Sequence, residues 1–261
     1  MKIGYVQTSP AFGDKQKNFE EVRRLARGVK ADLLVLPELF GSGYAFTSRE
    51  EAEALAEIAD GPTAAVLKEL SQQTSAVVVA GYIEKDRGRL YNAALVVSGN
   101  IVIDSYRKIH LFNKEKLWFD AGDKPLRVYD INDVKTGVMI CYDWMFPEVC
   151  RTLALQGMQV LAHPSNLVMP WCQRAMVTRC LENRIFAVTA NRVGEENRGE
   201  DHFVFTGASQ ITAADGSILS SAPVSESYLA VVEADVNQAV DKDINAYNNV
   251  ISDRRTEFYE L

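Results

Sequence analysis

Apolar positions along the chain switch repeatedly between a helical period and short unbroken runs. After the polar Asp14, the residues Phe19, Val22, Leu25, Ala26 and Val29 recur at helical spacing, and Ala31 to Leu36 then reads as a short buried strand. The same order returns further on: Asp60-Gly61-Pro62 opens a helix to about Gln73, and Ala76 to Ala80 follows as a second buried strand. Met1 to Gln7 is itself strand-like. Strands without helices come next, at Leu90 to Val97, Ile101 to Tyr106, Leu126 to Ile131 and Val134 to Ile140, with Ser98-Gly99-Asn100 as a hairpin turn. Helical spacing resumes over Glu148 to Gln156 and around Arg174 to Arg184, each helix followed by a strand, at Gln159 to Ala162 and Phe186 to Ala190. A hairpin around Asp215-Gly216 and a strand at Tyr228 to Val232 precede a polar tail.

Helix–strand units flanked by hairpins predict a mixed α/β fold of sheets covered by helices; periodicity alone leaves open whether there is one sheet or two. No repeat or Ser/Pro linker offers a place to cut, so residues 1–261 read as one domain, with about 236–261 as a tail too polar to add much core. That tail is expected to fray or to dock on a neighbour. The 28 Lys+Arg against 35 Asp+Glu give a net charge of −7, and no basic block is present, which argues against nucleic acid as a partner. The N-terminus shows no signal-peptide pattern and no apolar run is long enough to span a bilayer, so the expectation is a soluble, cytoplasmic protein with no membrane partner. Four cysteines without a CxxC pair suggest neither a disulfide framework nor a zinc site, and the three histidines do not stand at metal-ligand spacing. No metal or organic cofactor is implied.

The chemistry-bearing signal lies where apolar strands stop. Gly137 to Ile140 ends at Cys141, with Pro147-Glu148 starting a helix shortly afterwards, and strand carboxyl ends are where side chains emerge into a ligand crevice. Leu33 to Leu36 ends at Pro37-Glu38, and the strand through Tyr106 ends at Arg107-Lys108, with Glu115 in a following loop between Phe112 and Trp118. A thiol nucleophile needs a base. His163, ending the next strand, is the only histidine suited to that role, but His163-Pro164 reads better as a strand-terminating turn whose imidazole bonds backbone. A carboxylate such as Glu38 is the alternative. Asn166 follows a strand end and is either a pocket residue or an Asn satisfying its own turn. Tyr44, Phe112, Trp118 and Trp144 are candidates for pocket walls or core, and Cys150, Cys172 and Cys180 are most simply packing residues.

Leu36-Pro37-Glu38-Leu39-Phe40, Tyr106 to Phe112 and the Cys141 segment through Phe146-Pro147-Glu148, in that order, resemble the nitrilase or carbon–nitrogen hydrolase superfamily, closest to its small single-domain amidase-like members. Gly122-Asp123 and Leu181-Glu182-Asn183-Arg184 are lesser matches. The resemblance implies a four-layer α-β-β-α sandwich, a Glu38–Lys108–Cys141 triad and a second glutamate at Glu115. It also implies side-by-side dimers or higher homo-oligomers, often with C-terminal segments crossing to the partner. On this reading Cys141 attacks a small linear amide or N-carbamoyl compound and ammonia is released. Lys108 and the Tyr142 backbone N–H would meet the oxyanion. A true nitrilase is the second enzymatic reading, and a non-catalytic nitrilase-like scaffold the reading from another class; the intact charged tetrad speaks against the scaffold.

Overall fold

The computed structural model describes residues 1–259. Its first half contains β1 (Lys2–Gln7), α1 (Lys15–Leu25), β2 (Leu33–Val35), α2 (Arg49–Leu55), α3 (Pro62–Thr74), β3 (Val77–Asp86), β4 (Arg89–Ser98), β5 (Ile101–Arg107) and the single-turn α4 (Glu115–Trp118). There follow β6 (Val128–Ile131), β7 (Val134–Val138), α5 (Pro147–Leu155), β8 (Val160–Pro164), α6 (Cys172–Asn183) and β9 (Phe186–Ala190). The remainder is strand: β10 (Glu195–Arg198), β11 (Asp201–Val204), β12 (Gln210–Thr212), β13 (Ile218–Ser221), β14 (Tyr228–Glu233), β15 (Asp243–Asn245) and β16 (Asn248–Asn249).

Two six-stranded mixed sheets answer the question that periodicity left open. Their orders are β14-β1-β2-β3-β4-β5 and β13-β12-β9-β8-β7-β6. Each has a parallel centre, β1-β2-β3 in one and β7-β8-β9 in the other, with antiparallel strands on both flanks. Alternation along β2 explains why its run is apolar throughout. Leu33 and Val35 face the second sheet with Ile3, Val79, Val160 and Val188, whereas Leu34 and Leu36 pack under α1 and α3 against Phe19, Val22, Leu67 and Leu70. On the far side, α5 and α6 cover the second sheet through Leu153, Met176 and the buried thiols Cys150 and Cys180. The result is a four-layer α-β-β-α sandwich with its main core between the sheets.

The helices and strands read from sequence appear within a few residues of their expected bounds, with instructive exceptions. The strand expected to end at Ala80 continues to Asp86, because Gly81 is not a breaker here: it lets the Glu38 backbone pass, and a Cβ on it would lie 2.4 Å from Glu38 Cα. The strand expected to reach Ile140 stops at Val138. Helix α2 and the strands β10, β11 and β12 had no expectation; α2 nevertheless carries a capping signature, Ser48 accepting from the Glu51 N–H while Glu51 accepts from Thr47. Glu115 opens α4 rather than lying in a loop.

The tail also departs from expectation. Val236 and Ala239 join the core, and the following residues dock on this chain itself: Lys242 Nζ donates to the Asn183 and Arg184 carbonyls at 3.0 and 2.9 Å, closing the end of α6. Ile244 and Tyr247 stay exposed, and the expected tail's last two residues, 260–261, lie outside the described residues. Among the described residues no helix is long and apolar enough to cross a membrane.

Candidate active site

Glu38 and Lys108 leave the first sheet at one edge. β5 runs in the same direction as β2 and β3, two antiparallel steps away, so the segment after β2 and the residue after β5 emerge together. The backbone after β2 is buried without interruption from residue 33 to residue 46, which demands a partner for each polar group. Leu39, in the left-handed region at φ 49°, turns the chain, and its carbonyl accepts from the Ser42 and Gly43 N–H groups. The N–H groups of Tyr44 and Ala45 donate to the Glu196 carboxylate, itself paired with buried Arg192. Gly122 fastens the other strand end. Its N–H donates to the Lys108 carbonyl at 2.8 Å, and a Cβ there would lie 2.3 Å from the Arg107 oxygen.

Lys108 has no solvent exposure, and its Nζ donates to Glu38 Oε1 at 2.7 Å and to Glu115 Oε1 at 2.8 Å. Asn92, on β4, donates from Nδ2 to the same Glu38 oxygen at 2.7 Å, and Tyr44 OH donates to Glu115 Oε1 at 2.8 Å. Glu38 Oε2 and Asn92 Oδ1 are buried with no hydrogen-bond partner. Burial works against the Lys108 ammonium, but the Glu115 and Glu38 carboxylates outweigh it and hold the amine above its ordinary value, so it stays charged. Burial raises the Glu115 carboxyl, with Lys108 opposing and Glu38 adding to the rise.

Cys141 stands at the start of a 3₁₀ turn, Cys141–Met145, in the left-handed region at φ 41°. Such backbone strain in a non-glycine residue persists only where the surroundings enforce it, and here they do. Fully buried Asp143 accepts from the Ile140 N–H at 2.9 Å and the Tyr106 hydroxyl at 2.7 Å; its other oxygen accepts from the His110 backbone N–H at 3.1 Å and lies 2.8 Å from His110 Nδ1. The Lys108 strand end is thereby tied to the Cys141 turn. His163 Nε2 bonds the Cys141 carbonyl at 3.0 Å, and Nδ1 lies 3.1 Å from the Thr189 hydroxyl. Because a carbonyl only accepts, Nε2 carries the hydrogen; burial lowers the imidazole to about 4, keeping it neutral. His163 therefore bonds backbone, as the turn reading expects, and does not face the thiol as a base.

Burial pushes the Cys141 thiol well above its ordinary value, Glu38 and Glu115 add to the rise, and Lys108 and the Asn166 backbone N–H oppose it. Lys108 favours a thiolate, but the other forces win, so the resting sulfur carries its proton. Beside it opens a cavity of about 190 Å³ lined by Phe112, Tyr142, Trp144, Asn166, Leu167 and Met169, among others. Both side-chain polar atoms of Asn166 are buried and unpartnered.

Phe112, Tyr142, Trp144 and Asn166 thus line the cavity as the sequence suggests. Tyr44 does not; its ring packs edge-on to Phe203 at 5.4 Å and its hydroxyl serves Glu115, because the buried turn after Leu39 carries it to the other side of the charged cluster. Trp118 lies with it, beside Glu115, and not on the cavity of Cys141. Sequence reasoning missed Asn92, Asp143 and the 167–171 wall. An asparagine inside an otherwise apolar strand was the available signal for Asn92. Among the described residues no group of His, Cys, Asp or Glu is placed to hold a metal ion.

Two glutamates flank a buried lysine, and all three act electrostatically on the strained cysteine at a strand end. The carbon–nitrogen hydrolase family profile matches residues 2–242, and the chain belongs to that family of carbon–nitrogen bond hydrolases. It is 45% identical over 263 residues to a nitrilase of Pyrococcus abyssi, covering 99% of each chain. It is 34% identical over 243 residues to an (R)-stereoselective amidase of Pseudomonas sp., covering 91% of this chain and 86% of the relative. Among solved structures, a mutant amidase from Nesterenkonia sp. carries the acetamide moiety of fluoroacetamide on its active-site cysteine; it aligns with TM-score 0.79 at 25% identity, covering 98% of this chain and 94% of that one.

Proposed function

We propose that the protein hydrolyses a small linear amide or N-carbamoyl compound through a Cys141 thioester. The observation that carries this reading is the unpartnered Oε2 of Glu38, held in place by the bonds that Lys108 and Asn92 make to Oε1. A buried acceptor left open on a carboxylate that bears electrostatically on a protonated thiol is suited to take its proton.

As Glu38 accepts that proton, the sulfur bonds to the carbonyl carbon and the carbonyl electron pair moves onto oxygen. Lys108 spends two of its three N–H donors on Glu38 and Glu115, leaving one for the oxyanion alongside the Tyr142 backbone N–H. Glu38 then gives its proton to the leaving nitrogen, the C–N bond breaks, and ammonia departs from the thioester. Water attacks next, with Glu38 again as base; the C–S bond breaks and the thiol is restored as the acid leaves. Glu115, raised by burial and fixed by Tyr44, holds Lys108 in register. Asn166 suits a carboxamide, since its Oδ1 and Nδ2 would pair with the substrate N–H and C=O. A nitrile offers only an acceptor and would leave Oδ1 unpaired, which favours the amide over the nitrile.

The expected outcome is that Cys141→Ala releases no ammonia while keeping the wild-type circular dichroism. Mass spectrometry of the wild type, quenched during turnover of a slow amide, should find the acyl group on Cys141. Ammonia release by the variant at the wild-type rate would remove the nucleophile assignment. The protein is further read as at least a homodimer, with exposed Ile244, Tyr247 and Phe258 in the tail offering apolar surface to a second copy. Light scattering tests this, and a monomer at micromolar concentration would refute it.

A further inference from the structure

We infer that the group carried by the substrate carbonyl is uncharged and apolar and about the size of one ring, as in an aromatic or branched aliphatic amide. This rests on the hydrolase reading above but reaches beyond it, to which acyl chemistry the site accepts. The cavity beside Cys141 is walled by Phe112, Trp144, Leu167, Val168, Met169 and Trp171, and no charged side chain lines it. Trp144 and Leu167 are buried at its inner end, whereas Met169 and Trp171, 37% and 46% exposed, stand at its mouth. Apart from Asn166 and Tyr142, the wall is therefore apolar from the thiol to solvent. Its volume of about 190 Å³ exceeds the roughly 150 Å³ of an apolar cavity known to hold benzene, so one ring fits beside the thiol.

Charge is excluded on both signs. At the reacting end two carboxylates, Glu38 and Glu115, face one ammonium, so a carboxylate-bearing acyl group meets an excess of negative charge in a poorly screened site. The cation attached to this wall is already engaged: Arg179 donates to the Trp144 carbonyl at 3.2 Å and to Glu182 at 3.0 Å. A cationic group would lose its water and find no carboxylate on the wall, and the aromatic faces return only part of that loss.

The test measures ammonia release from benzamide, isobutyramide, succinamate, N-carbamoyl-β-alanine and N-carbamoylputrescine. Benzamide or isobutyramide should exceed every charged compound by about a hundredfold or more in kcat/KM, as expected when a charge enters a site without a counter-charge. A charged compound that equals or beats them overturns the inference while leaving the hydrolase reading intact. Calorimetry on Cys141→Ala separates the two claims in the absence of turnover: benzamide should bind and succinamate should not, and the reverse order would overturn the inference. In Met169→Lys, whose side chain is at the mouth and free to reach water, the kcat/KM ratio of succinamate to benzamide should rise at least about tenfold. An unchanged ratio would mean that the acyl group does not occupy this cavity.

Discussion

Arg107 and Lys108 are neighbours in sequence, both are buried, and both sit among carboxylates, yet the clusters they build are complementary opposites. Arg107 spreads its guanidinium over Glu84, Asp86 and Asp123, at 2.7, 2.7 and 2.8 Å, and lies 3.9 Å above the Tyr91 ring. Both oxygens of Glu84 are bonded there, and the cluster opens toward solvent through Asp86 and Asp123, each more than 40% exposed. Lys108, pointing the other way, bonds two glutamates in a fully buried position and leaves Glu38 Oε2 and Asn92 Oδ1 unsatisfied. A cluster that holds a fold together satisfies its members. One that handles protons keeps an acceptor open, and carries the desolvation penalty of doing so.

This contrast predicts which variant loses stability and which loses rate. Arg107→Met strands Glu84 without its cation and should cost about 3–5 kcal/mol in urea unfolding, while kcat, measured where the variant is folded, stays within about threefold. A collapse in kcat would erase the distinction. Lys108→Met should do the reverse at the chemical step, lowering kcat by about a hundred- to a thousandfold, or about 3–4 kcal/mol, in an ammonia assay run on protein shown to be folded. Its stability should also depend on pH in a defined direction. Burial already raises the Glu115 carboxyl and Lys108 opposes that rise, so without Lys108 the variant gains stability on acidification and loses it as pH rises through the raised Glu115 value.

His163 sharpens the comparison from the side of Cys141. Its folded value is lowered to about 4 from 6.5, so the unfolded chain binds more protons between those limits and stability is lost as pH falls through that window. The loss should approach about 3 kcal/mol, and His163→Gln should flatten that part of the profile in urea titrations at successive pH values. An unchanged slope would show that the imidazole takes up its proton as readily in the folded protein as in the unfolded chain. The smallest effect belongs to Tyr44→Phe. It removes one donor from Glu115, about 1.5 kcal/mol for a bond to a charged group, and should lower kcat by about tenfold with little change in KM.

Glu38 and Cys141 are legible because each interrupts an apolar run at a strand's carboxyl end, where a polar side chain has no packing reason to stand, whereas Lys108 follows a polar stretch and is marked only by its place at a strand end. Asn92 is concealed by the opposite circumstance: it lies within a strand whose neighbours are all core, and nothing local says that two glutamates from distant segments will close over it. Gly81 was read as the end of a strand because sequence shows a missing side chain and not the backbone that occupies its place. The wall from Leu167 to Trp171 lies in an irregular segment between β8 and α6, where no periodicity announces which face turns inward. Tyr44 was misplaced for the same reason, since a buried turn stabilised by Glu196, from 152 residues away, sets its direction.

The close approach at Gly81 bears on any attempt to evolve this enzyme toward new acyl groups. Position 81 belongs to a long central strand that a library designer would treat as inert scaffold, yet a single methyl there would press on the backbone that carries Glu38. Randomising that strand would displace the buried segment from Glu38 to Leu39 without touching any residue of the cavity. Diversity is better placed at Met169 and Trp171, which are part-exposed where they line the cavity beside Cys141.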